Sequence, residues 1–154
     1  MNAEELVSQL KSSEEFFERS TRVLTEEDSA YRPAEGMFTV TQQVAHAAHT
    51  IEWFVEGMSR AEGFDMDFAG HFAKVSGVTS LTEARKWLTN AYELARSFYA
   101  TADLSKALPP GPIMGGQPIT SVVGAIIEHT AHHRGALTVY SRLLGKTPIM
   151  PYAE

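Results

Sequence analysis

The segment that decides the fold is VVGAIIEHTAHHRGALTVYSRLL, residues 122–144. On a helical wheel at about 100° per residue, five of its apolar side chains fall within roughly 60° of one another. They are Val122, Ile126, Leu137, Tyr140 and Leu144. This periodicity predicts an amphipathic helix. Proline is well tolerated in a first turn, so we expect the helix to begin at about Pro118 or Ile119, and Gly145 to end it.

Three upstream segments show the same periodicity, and we expect helices from about Ala3 to Leu24, Val40 to Arg60 and Ser80 to Asp103. The second connection, AEGFDMDFAGHFAKVSGV, is polar and contains glycine, and LSKALPPGPIMGGQP must be a loop. Four helices with one apolar stripe each predict an all-α fold, a four-helix bundle formed by a single domain, residues 1–154. The long second connection permits a crossover, so the order of the helices stays open.

The composition excludes several classes of protein. The chain has no cysteine, which rules out disulfides, thiolate metal sites and covalent c-type haem. A net charge of −6 with scattered basic residues opposes a nucleic-acid partner. No apolar run reaches the roughly 18 residues of a membrane span, and the N-terminus does not resemble a signal peptide, so we expect a cytoplasmic protein with no membrane partner. The sequence also lacks four kinds of catalytic or cofactor-binding motif: HExxH, GxSxG, phosphate-binding loops and the Glu-x-x-His motif of di-iron proteins.

The three histidines of the last predicted helix point in different directions. His129 and His133 fall inside the apolar arc, whereas His132 lies about 80–100° away from it. A single buried histidine is most often a hydrogen-bonded core residue, but two on one face bring polar atoms into an apolar interior, where each unpaired group costs about 1–3 kcal/mol. A shared cation removes that cost, and residues four apart on a helix can both reach one ion. The pair therefore favours a metal site.

A third ligand is expected from the second predicted helix. His46 lies on the flank of its apolar arc, and His49 lies on the charged side, among Glu52, Glu56 and Arg60. The wheel favours His46 only slightly. His71 lies in a connection, where a lone histidine is expected to be solvated.

Two aromatic residues are candidate walls of a pocket, Trp53 and Tyr140, although ordinary core packing would also explain each of them. The loop from Leu108 to Pro118 is expected to border the entrance of such a pocket. Gln43 and His49 are further candidates for supporting the ligands or lining the pocket.

The stretch HTAHHRGALTVYSRLLGKTPIMPY, together with TVTQQVAHAAHTIEWFVEG, resembles the DinB-like family of damage-inducible bacterial metalloproteins, which is grouped with the mycothiol-dependent maleylpyruvate isomerases. The resemblance covers nearly the whole chain and implies a four-helix bundle with a long crossover. It also implies a divalent ion, zinc or nickel, on His46, His129 and His133. His132 and Arg134 match residues beside the ligands, and Arg134 is expected to serve packing or support.

Three protein ligands leave a coordination position for water or substrate, as in catalytic zinc sites. The resemblance implies a metal-dependent thiol transferase, isomerase or hydrolase that acts on a small molecule, with a low-molecular-weight thiol as cosubstrate, and homodimers. The competing hypothesis is a non-enzymatic stress-response bundle whose ion is structural or which serves as an interaction module. A fourth ligand from Glu, Asp or His71 would favour that alternative.

Overall fold

The structure is a computed structural model that describes residues 1–153. It contains five α-helices: α1 (Ala3–Thr21), α2 (Val40–Ser59), α3 (Phe68–Ser76), α4 (Leu81–Thr101) and α5 (Ser121–Leu143). A short 3₁₀ helix, Glu26–Asp28, follows α1. The β pairing in this range is a single isolated bridge between Ala107 and Pro118, so the predicted all-α class is confirmed. None of the helices in residues 1–153 combines the length and the apolar character of a membrane span.

The ends of the two helices that carry the clustered histidines follow from local sequence. Thr39 caps α2: its hydroxyl accepts the backbone N–H of Gln42, and the Gln42 side chain accepts the backbone N–H of Thr39. At the other end of the chain, α5 begins at Ser121, slightly later than predicted. Gly145 follows it with φ +75°, the left-handed conformation that commonly ends a helix. These caps define where α2 begins and where α5 ends.

The four long helices pack in a cyclic order. α1 packs against α4 and α5, and α2 packs against the same two helices. This arrangement is compatible with a four-helix bundle in which α1 and α2, although consecutive, are not close neighbours. The core between the helices is apolar, and its largest fully buried side chains include Tyr92, Tyr99, Tyr140, Phe17, Leu6 and Leu10.

The second connection is not simply a polar linker, because it contains α3. Asp67 caps this helix by accepting the backbone N–H of Gly70. Val75 is buried, while Phe68 and Phe72 are 57% and 58% exposed. Phe68, Phe72 and Val75 do follow the i, i+4, i+7 spacing of a helix face, but a helix of nine residues is easily overlooked within a glycine-containing connection. α3 packs on α2, and this contact shapes the surroundings of the clustered histidines.

Candidate metal centre

Three histidines from α2 and α5 converge in the interior. His46, His129 and His133 each offer a ring nitrogen, and these nitrogens all lie within 4.8 Å of one another. The ring centroids are 4.5 Å apart for His129 and His133, and 4.8–5.0 Å apart for the pairs with His46. The cluster can hold a metal ion. Within residues 1–153 it is the one such group of three or more metal-ligating side chains.

The spacing within the α5 pair fits the donor geometry of a late first-row ion. The Nε2 atoms of His129 and His133 are 3.2 Å apart. Two nitrogens at 2.0–2.1 Å from one ion, at a tetrahedral angle, are about 3.3 Å apart. The same distance also suits an N–H···N hydrogen bond, which the pair can form in the absence of an ion. Little movement of these two rings would therefore separate their metal-free and metal-bound positions.

A hydrogen-bonded chain fixes the orientation of His133. Its Nδ1 contacts the side-chain oxygen of Gln43. Because an amide oxygen only accepts, Nδ1 carries the proton and Nε2 keeps its lone pair for an ion. The Gln43 amide nitrogen donates to the Tyr140 hydroxyl at 3.1 Å, and that hydroxyl donates to the main-chain oxygen of Phe38 at 2.9 Å. Tyr140 is 2% exposed, which fits core packing, the other explanation given for it, and it supports Gln43 from the core.

Replacement of Gln43 should weaken metal binding without removing a ligand. In Gln43→Leu the Nδ1–H of His133 loses its acceptor, and the ring is no longer held in one orientation. Such changes typically lower metal affinity by about 10- to 100-fold. Tyr140→Phe removes only the outer hydroxyl and should have a smaller effect. Competition with a chromogenic chelator measures both, and an unchanged affinity in Gln43→Leu would show that His133 needs no such support.

The clustered histidines are neutral near pH 7. Burial, reinforced by the neighbouring imidazoles, lowers the pKa of His133 to about 3 and that of His129 to about 4. Burial also lowers the pKa of His46. The Nδ1 atom of His129 is buried and has no hydrogen-bond partner among the described residues. Neutral rings present lone pairs, the state that metal binding requires.

A second histidine pair lies beside the cluster. His49 is 7% exposed, and its Nε2 lies 2.9 Å from Nδ1 of His71. His71 in turn contacts the main-chain oxygen of Asp65 at 3.0 Å. The prediction of a solvated His71 is therefore wrong, and His49 is buried although the wheel places it on the charged side of α2. The reason is tertiary, because α3 covers this part of α2 and the ring of Trp87 in α4 lies 5.8 Å from His49.

A cavity of about 240 Å³ adjoins the cluster. Besides the His49–His71 pair, its lining consists of His46, His129, Thr50, Trp53, Phe54 and Phe68. Trp53, one of the two candidate pocket walls, is among the residues that line this cavity. The loop from Leu108 to Pro118 does not contribute to it. Residues 109–113 of that loop line a different cavity, with residues 62–64 and 66.

The other residues near the α5 motif face elsewhere. His132 is exposed and lies outside the cluster, although its ring is 5.0 Å from that of His133. Arg134 contacts the Ser20 hydroxyl of α1 at 3.3 Å. It lines a separate cavity of about 250 Å³ that contains none of the clustered histidines. Glu52, which the wheel places on the charged side of α2, is partly buried, and burial raises its pKa.

A family model described as the DinB family matches residues 1–154, the whole chain. No curated protein matches the sequence.

Proposed function

We propose that this chain, which belongs to the DinB family, is a metal-dependent enzyme of the thiol transferase, isomerase or hydrolase type acting on a small molecule. The observation that carries the proposal is the cluster of His46, His129 and His133 at the edge of a cavity. Three neutral imidazoles suit zinc, nickel and other late first-row ions. The cavity gives a substrate access to the same place.

The protein's own groups prepare the site in two ways. Gln43 holds the proton of His133 on Nδ1, which directs the Nε2 lone pair toward the position of an ion. Trp53, Phe54 and Phe68 surround the cavity with apolar surface, and interactions with charge are stronger there than in water. When bound, a divalent ion supplies Lewis acidity, which lowers the pKa of a water molecule or thiol that it contacts.

The structural-ion alternative has less support from the side chains. A structural site is usually closed by four protein ligands. The cluster identified within residues 1–153 has three members, and none of them is a carboxylate. His71, the candidate fourth histidine, already uses both ring nitrogens in contacts with His49 and Asp65. A fourth position is therefore left for a water molecule or a substrate.

Metal-dependent turnover tests the proposal directly. The chelator-treated protein and the protein reloaded with zinc or nickel are each given bacillithiol, mycothiol or glutathione with monochlorobimane, and p-nitrophenyl acetate serves as a hydrolysis probe. We expect at least one reaction to be about tenfold faster with metal, which corresponds to about 1.4 kcal/mol of barrier. His46→Ala should lose this gain, and His132→Ala should keep it. No metal-dependent rate with any of these probes would favour the structural-ion alternative.

A further inference from the structure

The hydrogen-bond donors in one wall of the cavity have acceptors within the protein, whereas Nδ1 of His49 is buried without a partner in residues 1–153. The indole N–H of Trp53 donates to the main-chain oxygen of Asp65 at 2.7 Å, and Nε2 of His71 contacts the same oxygen at 3.0 Å. Because that oxygen only accepts, His71 carries its proton on Nε2 when neutral, and its Nδ1 accepts from Nε2 of His49. The donors of this wall are therefore paired within the protein and need no partner from a ligand.

The cavity lining carries no carboxylate, ammonium or guanidinium group. None of the lining residues, all within the described part of the chain, is Lys, Arg, Asp or Glu. A charged group placed against this wall would lose hydration without gaining an ion pair, which is costly. The walls are instead largely aromatic: the ring centroid of Trp53 lies 5.3 Å from that of Phe54 and 6.4 Å from that of Phe68. Such walls favour offset or edge-to-face contacts with another ring.

The size of the cavity restricts the ligand further. A closed apolar cavity of about 150 Å³ suffices for benzene. At about 240 Å³, the cavity here has room for one ring with small substituents. Its lining also includes His46 and His129, so a group in the cavity lies next to the candidate metal position.

We infer that the cavity takes an uncharged apolar ring of about benzene size, on a small molecule whose donor atom reaches an ion held by the histidine cluster. The inference rests on the proposed metal-dependent function and names the substrate class for it. Low-molecular-weight thiols such as glutathione carry charged groups that this wall does not accommodate. The ring therefore belongs to the electrophile or other cosubstrate, and the polar part of a thiol stays outside the cavity.

Two small ligands, imidazole and 4-phenylimidazole, can be compared to measure how much the cavity contributes to the binding affinity. Imidazole and 4-phenylimidazole offer similar donor nitrogens, but only the second carries a ring for the cavity. Isothermal titration of the zinc-loaded protein, after its metal content is measured, should show 4-phenylimidazole binding about 10- to 100-fold more tightly, the gain expected for burying a phenyl group.

Three variants test whether the tighter binding of 4-phenylimidazole arises from the cavity. Thr50→Phe should fill the space and reduce the preference for 4-phenylimidazole to less than about threefold, while the metal is kept. Phe68→Ala removes one wall at an exposed position, where the fold tolerates the change, and should also reduce the preference. Phe72→Ala is the matched control, because it changes the same residue type on α3 at equal exposure but outside the cavity lining, and it should keep the preference.

Two different failures are distinguishable in this experiment. A protein that holds neither zinc nor nickel after reloading overturns the proposed function, and this inference with it. A zinc-loaded protein that binds imidazole and 4-phenylimidazole equally well overturns the inference alone. A preference that is unchanged in both Thr50→Phe and Phe68→Ala also overturns it, since the ring would then bind elsewhere.

Discussion

His129→Ala is expected to lose nearly all of the metal that the wild-type protein carries. His129 supplies one of the three nitrogens of the cluster, and its Nε2 lies 3.2 Å from that of His133. The loss of an outer hydrogen bond to a ligating histidine already costs about 10- to 100-fold in metal affinity. The loss of a ligand should therefore cost more than about 100-fold. Elemental analysis after chelator-free purification measures the metal retained per chain.

The adjacent histidine offers a matched control for this experiment. His132→Ala makes the same change three positions further along α5, at an exposed residue outside the cluster. We expect it to carry as much metal as the wild-type protein. Circular dichroism should show that both variants are folded, because neither replaces a core apolar residue. Metal retained in His129→Ala, or a wild-type protein without stoichiometric metal, would contradict the three-histidine site.

The sequence was most informative where candidate metal ligands lie on a helix with a clear apolar face. His129 and His133 are four residues apart on a helix whose apolar face is well marked, so their shared direction followed from the wheel. Their separation from His132 followed in the same way, and His132 is indeed exposed. His46 was favoured only slightly, because a position on the flank of an apolar arc does not reveal which helix lies opposite. The structure places it within reach of the α5 pair.

The errors lie where the environment of a side chain depends on other elements. A wheel describes the direction of His49 about the axis of α2, but its burial arises from α3 and from Trp87, which are distant in sequence. Tyr140 was correctly placed on the core face of α5. Its hydroxyl, however, finds Gln43 and Phe38 rather than a pocket, and that choice depends on how α2 packs against α5. The cavity itself could not be predicted, because its walls come from three helices.

The metal-free protein should be much less stable at pH 5 than at pH 7. Burial and neighbouring imidazoles hold the pKa of His133 at about 3 and the pKa values of His129 and His49 at about 4 in the folded protein. In the unfolded chain each returns to about 6.5. Between these values the unfolded chain binds protons that the folded protein does not. The stabilisation that depends on these neutral histidines is therefore complete above about pH 6.5. It is lost progressively as the pH decreases toward 4, and the free energy of unfolding falls with it.

The size of the effect follows from the same linkage. Each histidine whose pKa stays below 5 in the folded state removes about 2 kcal/mol of stability between neutral pH and pH 5. Carboxylates contribute little in this window. The pKa of Asp28, beside Lys146, is lowered from an ordinary value that is already near 4, so its stabilisation disappears only at lower pH. Burial raises the pKa of Glu52, whose protonation opposes the loss of stability. The histidines should dominate the change between pH 7 and pH 5.

Urea denaturation of the chelator-treated protein at pH 7, 6 and 5 measures this dependence, and His133→Leu isolates one contribution. Leucine fills a similar apolar space and cannot titrate. The Gln43 oxygen that it leaves without a donor lowers the stability by the same amount at every pH, so it does not alter the slope. We expect the loss between pH 7 and pH 5 to be about 2 kcal/mol smaller in His133→Leu than in the wild-type protein. Equal slopes would mean that His133 already binds a proton in the folded state, and hence that it is not the buried neutral ring that a metal ligand has to be.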